Sequence, residues 1–234
     1  MLERDSTGPN PIYPNEGTKL SLRARITPPW FHLLDCHQGN NGFPGIEACR
    51  WKEYHQWMLD GSYFSRLLDN LVLNVRGHMG VMGNFSSQGG ITPFERFYLG
   101  GTMPSERAII RGKEHISLRG YAEDYIVPQD KTTGYKGGVI YEKFVVELRY
   151  PIISNYIAHT YALVFAEAGN AWAKYEDFNP FSLKRSVGVG LRFYLPMILG
   201  TTVGFDWGYG FDRHPGDETD SKLKFHFSVG MELR

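Results

Sequence analysis

Glu147, Glu167, eight histidines and two cysteines are the residues of this chain whose types could carry chemistry. Two carboxylates held close together can divide the roles of general acid and general base. Neither acid has a nucleophile to serve, because the chain holds no Gly-x-Ser-x-Gly elbow and no spacing that pairs a nucleophile with a base. Catalysis is therefore not expected, and no cofactor is implied. His32, His37 and His55 lie near one another in sequence, but their spacing matches no defined metal site, so no metal is expected either. Cys36 and Cys49 flank Gly-Asn-Asn-Gly in a polar, turn-rich stretch. In an oxidising external location a local disulfide is favoured over two free thiols.

The elements that must position the two acids announce themselves by period two. In the last segment Leu223, Phe225, Phe227, Val229, Met231 and Leu233 share one face, while Lys224, His226, Ser228, Gly230, Glu232 and Arg234 share the other, which is a strand pattern. The same alternation appears at Leu20/Leu22/Ala24/Ile26, at Leu73/Val75/Met79/Val81, at Val187/Val189/Leu191/Phe193 and at Val203/Phe205/Trp207/Tyr209. Glu147 shares its face with Lys143, Val145 and Arg149, opposite Phe144, Val146 and Leu148, and that face is expected to point inward. Glu167 shares its face with Tyr161, Leu163 and Phe165. That face can turn inward only if a bulge switches parity or if those apolar residues pack against something inside.

Eight such segments are connected by alternating long and short links. Strands near 54 to 67 and 71 to 82 meet at Leu68-Asp69-Asn70, a short turn is expected at Ile152 to Asn155 and another between Met197 and Gly200, and the links near Cys36, Phe178 and Pro215 are long. Short turns at one end and long loops at the other are the mark of a transmembrane β-barrel, whereas a soluble sandwich has no reason to sort its connectors. Aromatics at 15 % and 27 glycines fit barrel girdles and close strand packing. No stretch approaches the roughly 18 apolar residues of a membrane helix. The formal net charge is zero, so no nucleic-acid partner is indicated. Met1 is followed by Leu-Glu-Arg-Asp-Ser, without the features of a signal peptide, so an exported protein would need further sequence upstream.

The longest connector reads Pro93-Phe94-Glu95-Arg96-Phe97-Tyr98-Leu99-Gly100-Gly101 and later Ser117-Leu118-Arg119-Gly120-Tyr121. It resembles the sixth external loop of the BamA-type outer-membrane assembly factors and two-partner secretion proteins. There an aromatic Phe-Tyr-x-Gly-Gly segment precedes a (Val/Leu)-Arg-Gly-(Phe/Tyr) tip that folds into the lumen. Arg4-Asp5-Ser6 and Ile12 to Gly17 are similar to that family's turn before the ninth strand, so the resemblance spans essentially the whole chain.

The resemblance implies an all-β fold, in which residues 1–234 form the C-terminal half of a sixteen-strand antiparallel barrel, preceded by the first eight strands and by POTRA modules. An eight-strand barrel closed on itself would be filled by side chains and could not admit a loop of about fifty residues. The resemblance further implies a loop lock in which Leu118, Arg119, Gly120 and Tyr121 form the tip and Glu147 and Glu167 hold the arginine. It also implies a lateral seam on the last strand, expected over 222 to 233 and including Phe225, Phe227, Gly230 and Leu233. Gly230 serves either a kink in that strand or the packing of a neighbouring side chain. The function implied is insertion of other β-barrels into the bacterial outer membrane, with outer-membrane lipid, nascent barrel proteins and accessory assembly lipoproteins as partners. The alternatives are a two-partner secretion barrel and the barrel half of a patatin-like phospholipase fusion. Away from the lock, Arg192 reads as an ordinary lumen charge whose removal should cost little.

Overall fold

The computed structural model describes residues 1–8, 13–27, 54–85, 95–102, 113–132, 134–154, 159–195, 201–212 and 222–230. Cys36, Cys49, His32, His37 and Leu233 lie outside these residues, so the disulfide and the end of the seam are not addressed by it. The described strands are β1 (Leu2–Asp5), β2 (Gly17–Ile26), β3 (Tyr54–Arg66), β4 (Val72–Asn84), β5 (Phe97–Leu99), β6 (Glu114–Ile116), β7 (Ile140–Ser154), β8 (His159–Trp172), β9 (Lys184–Leu195), β10 (Thr201–Gly210) and β11 (Leu223–Val229). Nine of them form one sheet in the order β1-β2-β3-β4-β7-β8-β9-β10-β11, and β5 and β6 form a separate parallel pair inside the long connector. Every pairing in the large sheet is antiparallel. It is an open sheet, with β1 and β11 as its edges.

The eight alternating segments are all present, and the differences from expectation lie where alternation is weak. β1 was not foreseen: its four exposed residues, three of them charged, pair Leu2 to Leu22 through Asp5 to Lys19, a stretch too short to show a period. Ile152 to Ser154 belong to β7 rather than to a turn, and the register slips between Pro151 and Ile153 where one extra residue is accommodated.

The two faces of the sheet differ as the sequence pattern requires. Phe144, Val164, Val189 and Phe225 stand outward and are half exposed or more (50, 56, 52 and 56 %), with no layer of the described residues over them. An apolar face this extensive and uncovered fits lipid, not water. The sandwich alternative fails at the same point, since a sandwich would bury this face against a second sheet. Among the described residues no helix is long and apolar enough to cross a membrane. The opposite face is the protein's interior, and what covers it is the chain's own connector. Met58, Met82, Tyr141 and Ala171 of the wall pack against Phe97, Leu99, Ile116, Leu118, Tyr121 and Ile126 of that connector.

Candidate functional site

The connector enters the barrel as a small folded unit. Phe97 exchanges main-chain hydrogen bonds with Gly138 (2.9 and 2.8 Å), and Leu99 does so with Ile126 (3.2 and 2.9 Å). Gly100 and Gly101 then turn the chain with φ of +134° and +65°, values that L residues with side chains rarely adopt, and a Cβ on Gly100 would run into the Ala122 carbonyl. From this elbow Leu118 donates to the Gly101 carbonyl (2.9 Å), and Gly101 donates to the Tyr121 carbonyl (3.1 Å). Leu118 to Tyr121 therefore form a tight turn, with Arg119 at its corner and Gly120 at φ +88°.

The tip needs a surface without side chains to land on, and β10 supplies it. A Cβ on Gly208 would come within 2.6 Å of the Gly120 nitrogen, and one on Gly210 within 2.7 Å of the Gly120 carbonyl oxygen. A Cβ on Gly120 itself would lie 2.9 Å from the Ser186 Cβ. Three glycines thus let two backbones touch. The wall side of this contact was not read from the sequence, where Gly208 and Gly210 are simply the small members of an alternating strand.

Arg119 is fully buried beneath the tip. Its Nε donates to Glu167 Oε1 at 2.7 Å, its main-chain N–H to Glu167 Oε2 at 2.8 Å and its Nη2 to Glu147 Oε1 at 2.6 Å, while Nη1 lies 3.4 Å from Asp206 Oδ1. The guanidinium lies 3.7 Å from the centre of the Phe165 ring, a stacked cation–π arrangement. The question of Glu167's face is thereby answered. Tyr161, Leu163, Phe165 and Glu167 all turn inward without a change of parity, and Phe165 is the floor on which the guanidinium rests. Burial alone would push this guanidinium toward neutrality, but Glu167, Glu147 and Asp206 outweigh it and hold its pKa above the ordinary arginine value.

The two expected acids are part of a larger network. Glu147 accepts from Arg76 (2.7 Å), from Arg119 (2.6 Å) and twice from Arg149 (2.9 and 2.6 Å). Lys143 lies 3.8 Å from Glu167 and donates to Ser117 at 3.0 Å. Arg192 makes a two-pronged contact with Asp206 at 2.9 and 2.8 Å, the planar fork geometry that arginine favours. It is almost wholly buried, so the expectation that its removal costs little is corrected: Asp206 would lose its main partner in a shielded site. Asp206, Arg76 and Lys143 join the candidate site without having been singled out as its members. Each is one polar residue on one inward face, and only the register between strands reveals its neighbours.

The remaining tip residues contact the last three strands. Gly120 N–H donates to His226 Nε2 of β11 at 2.9 Å, and Tyr121 OH donates to the Arg185 carbonyl at 2.6 Å and accepts from the Asp212 N–H at 3.2 Å. Burial raises the Tyr121 hydroxyl to about 12, so it stays a donor at any physiological pH. Phe225 and Phe227 do not approach the tip; their rings lie outward against Phe205 and Trp207. Gly230 immediately follows β11 with φ +67°, and a Cβ there would sit 2.9 Å from Thr201 Oγ1. Among the described residues no group of His, Cys, Asp and Glu is arranged to hold a metal ion. The site's capacity is electrostatic and mechanical: it clamps a loop into a lumen.

An antiparallel sheet with a lipid-facing side, and a long loop anchored through a buried arginine on the other, is the wall of a transmembrane β-barrel. The chain belongs to the Omp85 superfamily, whose domain model matches residues 5–232, and it is an outer-membrane β-barrel protein of that superfamily. Its fold is similar to that of BamA from Haemophilus ducreyi, solved lacking POTRA domains 1–3, with a TM-score of 0.60 and 18 % identity over 97 % of this chain. The chain spans 41 % of the length of that structure. No curated protein sequence matches it significantly.

Proposed function

We propose that this chain is the C-terminal half of a sixteen-strand insertase barrel of the bacterial outer membrane, and that it assists the folding and insertion of other β-barrels without catalysing a reaction. The observation that carries this reading is the inward loop clamped through Arg119 to Glu147 and Glu167, and the seam of such a barrel would lie at β11. Gly230 donates to the Thr202 carbonyl (2.8 Å) and Gly210 to the Lys222 carbonyl (3.4 Å), so the even-numbered residues of β11 exchange main-chain bonds with β10. In an antiparallel pair the alternate residues turn their N–H and C=O groups the other way. Phe225, Phe227 and Val229 therefore direct theirs to the side on which the described sheet has no further strand. Such an edge can template an incoming strand, as in β-augmentation. The clamped connector lies against the inner face beside it.

The partners of this reading are outer-membrane lipid, unfolded barrel proteins and accessory assembly lipoproteins. The test is complementation, using the full-length protein that carries this half in cells depleted of it. Loss of folded, heat-modifiable porin in Arg119→Ala and Glu147→Ala cells is expected. Normal porin assembly together with a soluble partner protein stranded in the periplasm would replace insertion with secretion.

A further inference from the structure

The loop that is clamped to β7 and β8 also touches β11, at two consecutive residues and in two different ways. Gly120 N–H donates to the His226 ring at 2.9 Å, inside the lumen. Thr102, buried directly after the Gly100-Gly101 elbow, places its hydroxyl 3.4 Å from the carbonyl oxygen of Phe227. By the alternation established above, the Phe227 carbonyl belongs to the outward-directed row of β11, the row that an incoming strand would use. The O–H···O distance is long for such a bond, so an amide N–H at ordinary distance can displace it.

We propose that Thr102 and His226 are positioning residues that tie the loop to the β11 edge, Thr102 covering the Phe227 carbonyl, so that the edge becomes available to an incoming strand only when the loop draws back. This rests on the reading of β11 as the templating edge and specifies how that edge is regulated. Neither residue would touch the incoming strand's reactive groups in any chemical sense; both act through the place where the loop sits. His226 accepts through Nε2, so that nitrogen carries no proton in the tied state.

The experiment uses the full-length protein carrying this half, in outer-membrane lipid vesicles, and measures amide hydrogen exchange without any client. His226→Ala and Thr102→Val are expected to speed exchange of the segments 117–121 and 223–229 by at least about tenfold. His226→Gln, whose amide oxygen can replace the acceptor, and Thr102→Ser, which keeps the hydroxyl, are expected to restore the parent rates. Thr102→Val preserves side-chain shape, so it remains informative if His226→Ala fails to fold. A second measurement follows disulfide capture, at Phe225→Cys, of a synthetic peptide with alternating apolar residues, a terminal phenylalanine and one cysteine. Capture should be several-fold faster when Thr102→Val is added. Parent-like exchange in both truncations overturns the tie, and so does failure of the Gln and Ser variants to rescue, since packing alone would then explain the loss. Faster exchange with no peptide captured by any variant overturns the gate together with the templating edge. Capture at one unchanged rate in all variants overturns the gate and leaves the edge standing.

Discussion

The loop is held very differently at its two sides. Toward β4, β7, β8, β9 and β10 its own Arg119 joins four wall cations, Arg76, Lys143, Arg149 and Arg192, in sharing the carboxylates of Glu147, Glu167 and Asp206 in a nearly water-free site. Toward β11 it is held by one bond to a histidine ring and one long hydroxyl contact. Strand lengths follow the same gradient, from 15 residues in β7 to 7 in β11. A clamp on one side and a light tie on the other form a hinge-like arrangement: the loop can leave the edge without leaving the barrel. The clamp is also rich in cations, so it depends on its acids more than on any single base.

That comparison is broken most directly at Glu147. Glu147→Ala removes the acceptor shared by Arg76, Arg119 and Arg149 and leaves three buried cations facing one another. A loss of about 3–5 kcal/mol is expected, the range for an uncompensated buried charge, read from urea unfolding of the full-length protein in lipid vesicles. Arg119→Ala should cost less, because it leaves the remaining cations to share the carboxylates. The double variant should fall short of the sum by about 0.5–3 kcal/mol, because both changes break one network. Strict additivity would mean that the clamp is a set of independent pairs.

Phe205→Arg tests the lipid side near the seam, where Phe205 packs on Phe227 at 5.4 Å between ring centres. If the site lies near the midplane the cost should be about 2–4 kcal/mol, with Val189→Arg similar. A change within experimental error for both would show that the faces are reversed. Gly208→Ala forces a methyl against the Gly120 backbone. We expect a cost of about 1–3 kcal/mol from overpacking, with the tip becoming susceptible to protease while β7 and β8 remain protected. A protected tip would remove the glycine bed from the account.

Smaller effects are expected outside the clamp, first at Tyr121→Phe. It deletes two hydrogen bonds, one donated to the Arg185 carbonyl and one accepted from the Asp212 N–H, each worth about 1 kcal/mol, and unfolding should move by no more than about 2 kcal/mol. The neighbouring Arg185–Asp212 pair sharpens the contrast with the clamp, because Arg185 is largely exposed (66 %). The hydrogen bond from Arg185 lowers the Asp212 carboxyl pKa below its usual value. The stabilisation is therefore present above the unfolded-state pKa and lost as pH falls through the lower folded value. Solvent screening keeps it small, so Arg185→Ala should leave unfolding at neutral pH unchanged within error.

The strands and their two faces were determined by the sequence alone, because period two is a local property: Val189 beside Gly188, or Phe144 beside Lys143, assigns inside and outside without knowledge of any other strand. The tip was legible as a motif, since Leu118-Arg119-Gly120-Tyr121 and the two acids resemble a known loop arrangement. Three things were beyond local reading. β1 carries four residues and no period, so only its pairing with β2 defines it as a strand. Asp206, Arg76 and His226 become neighbours of the tip through registers such as Asp206 with His226 and Gly190, and a shift by one residue would send each to the other face. The stacking of Phe165 under Arg119 and the close approach of Gly120 to Gly208 depend on how deep the loop descends. That depth follows from the apolar packing of Phe97, Leu99 and Ile116 against β3, β4 and β7 above the charges, an arrangement of non-local contacts that no segment of the chain encodes by itself.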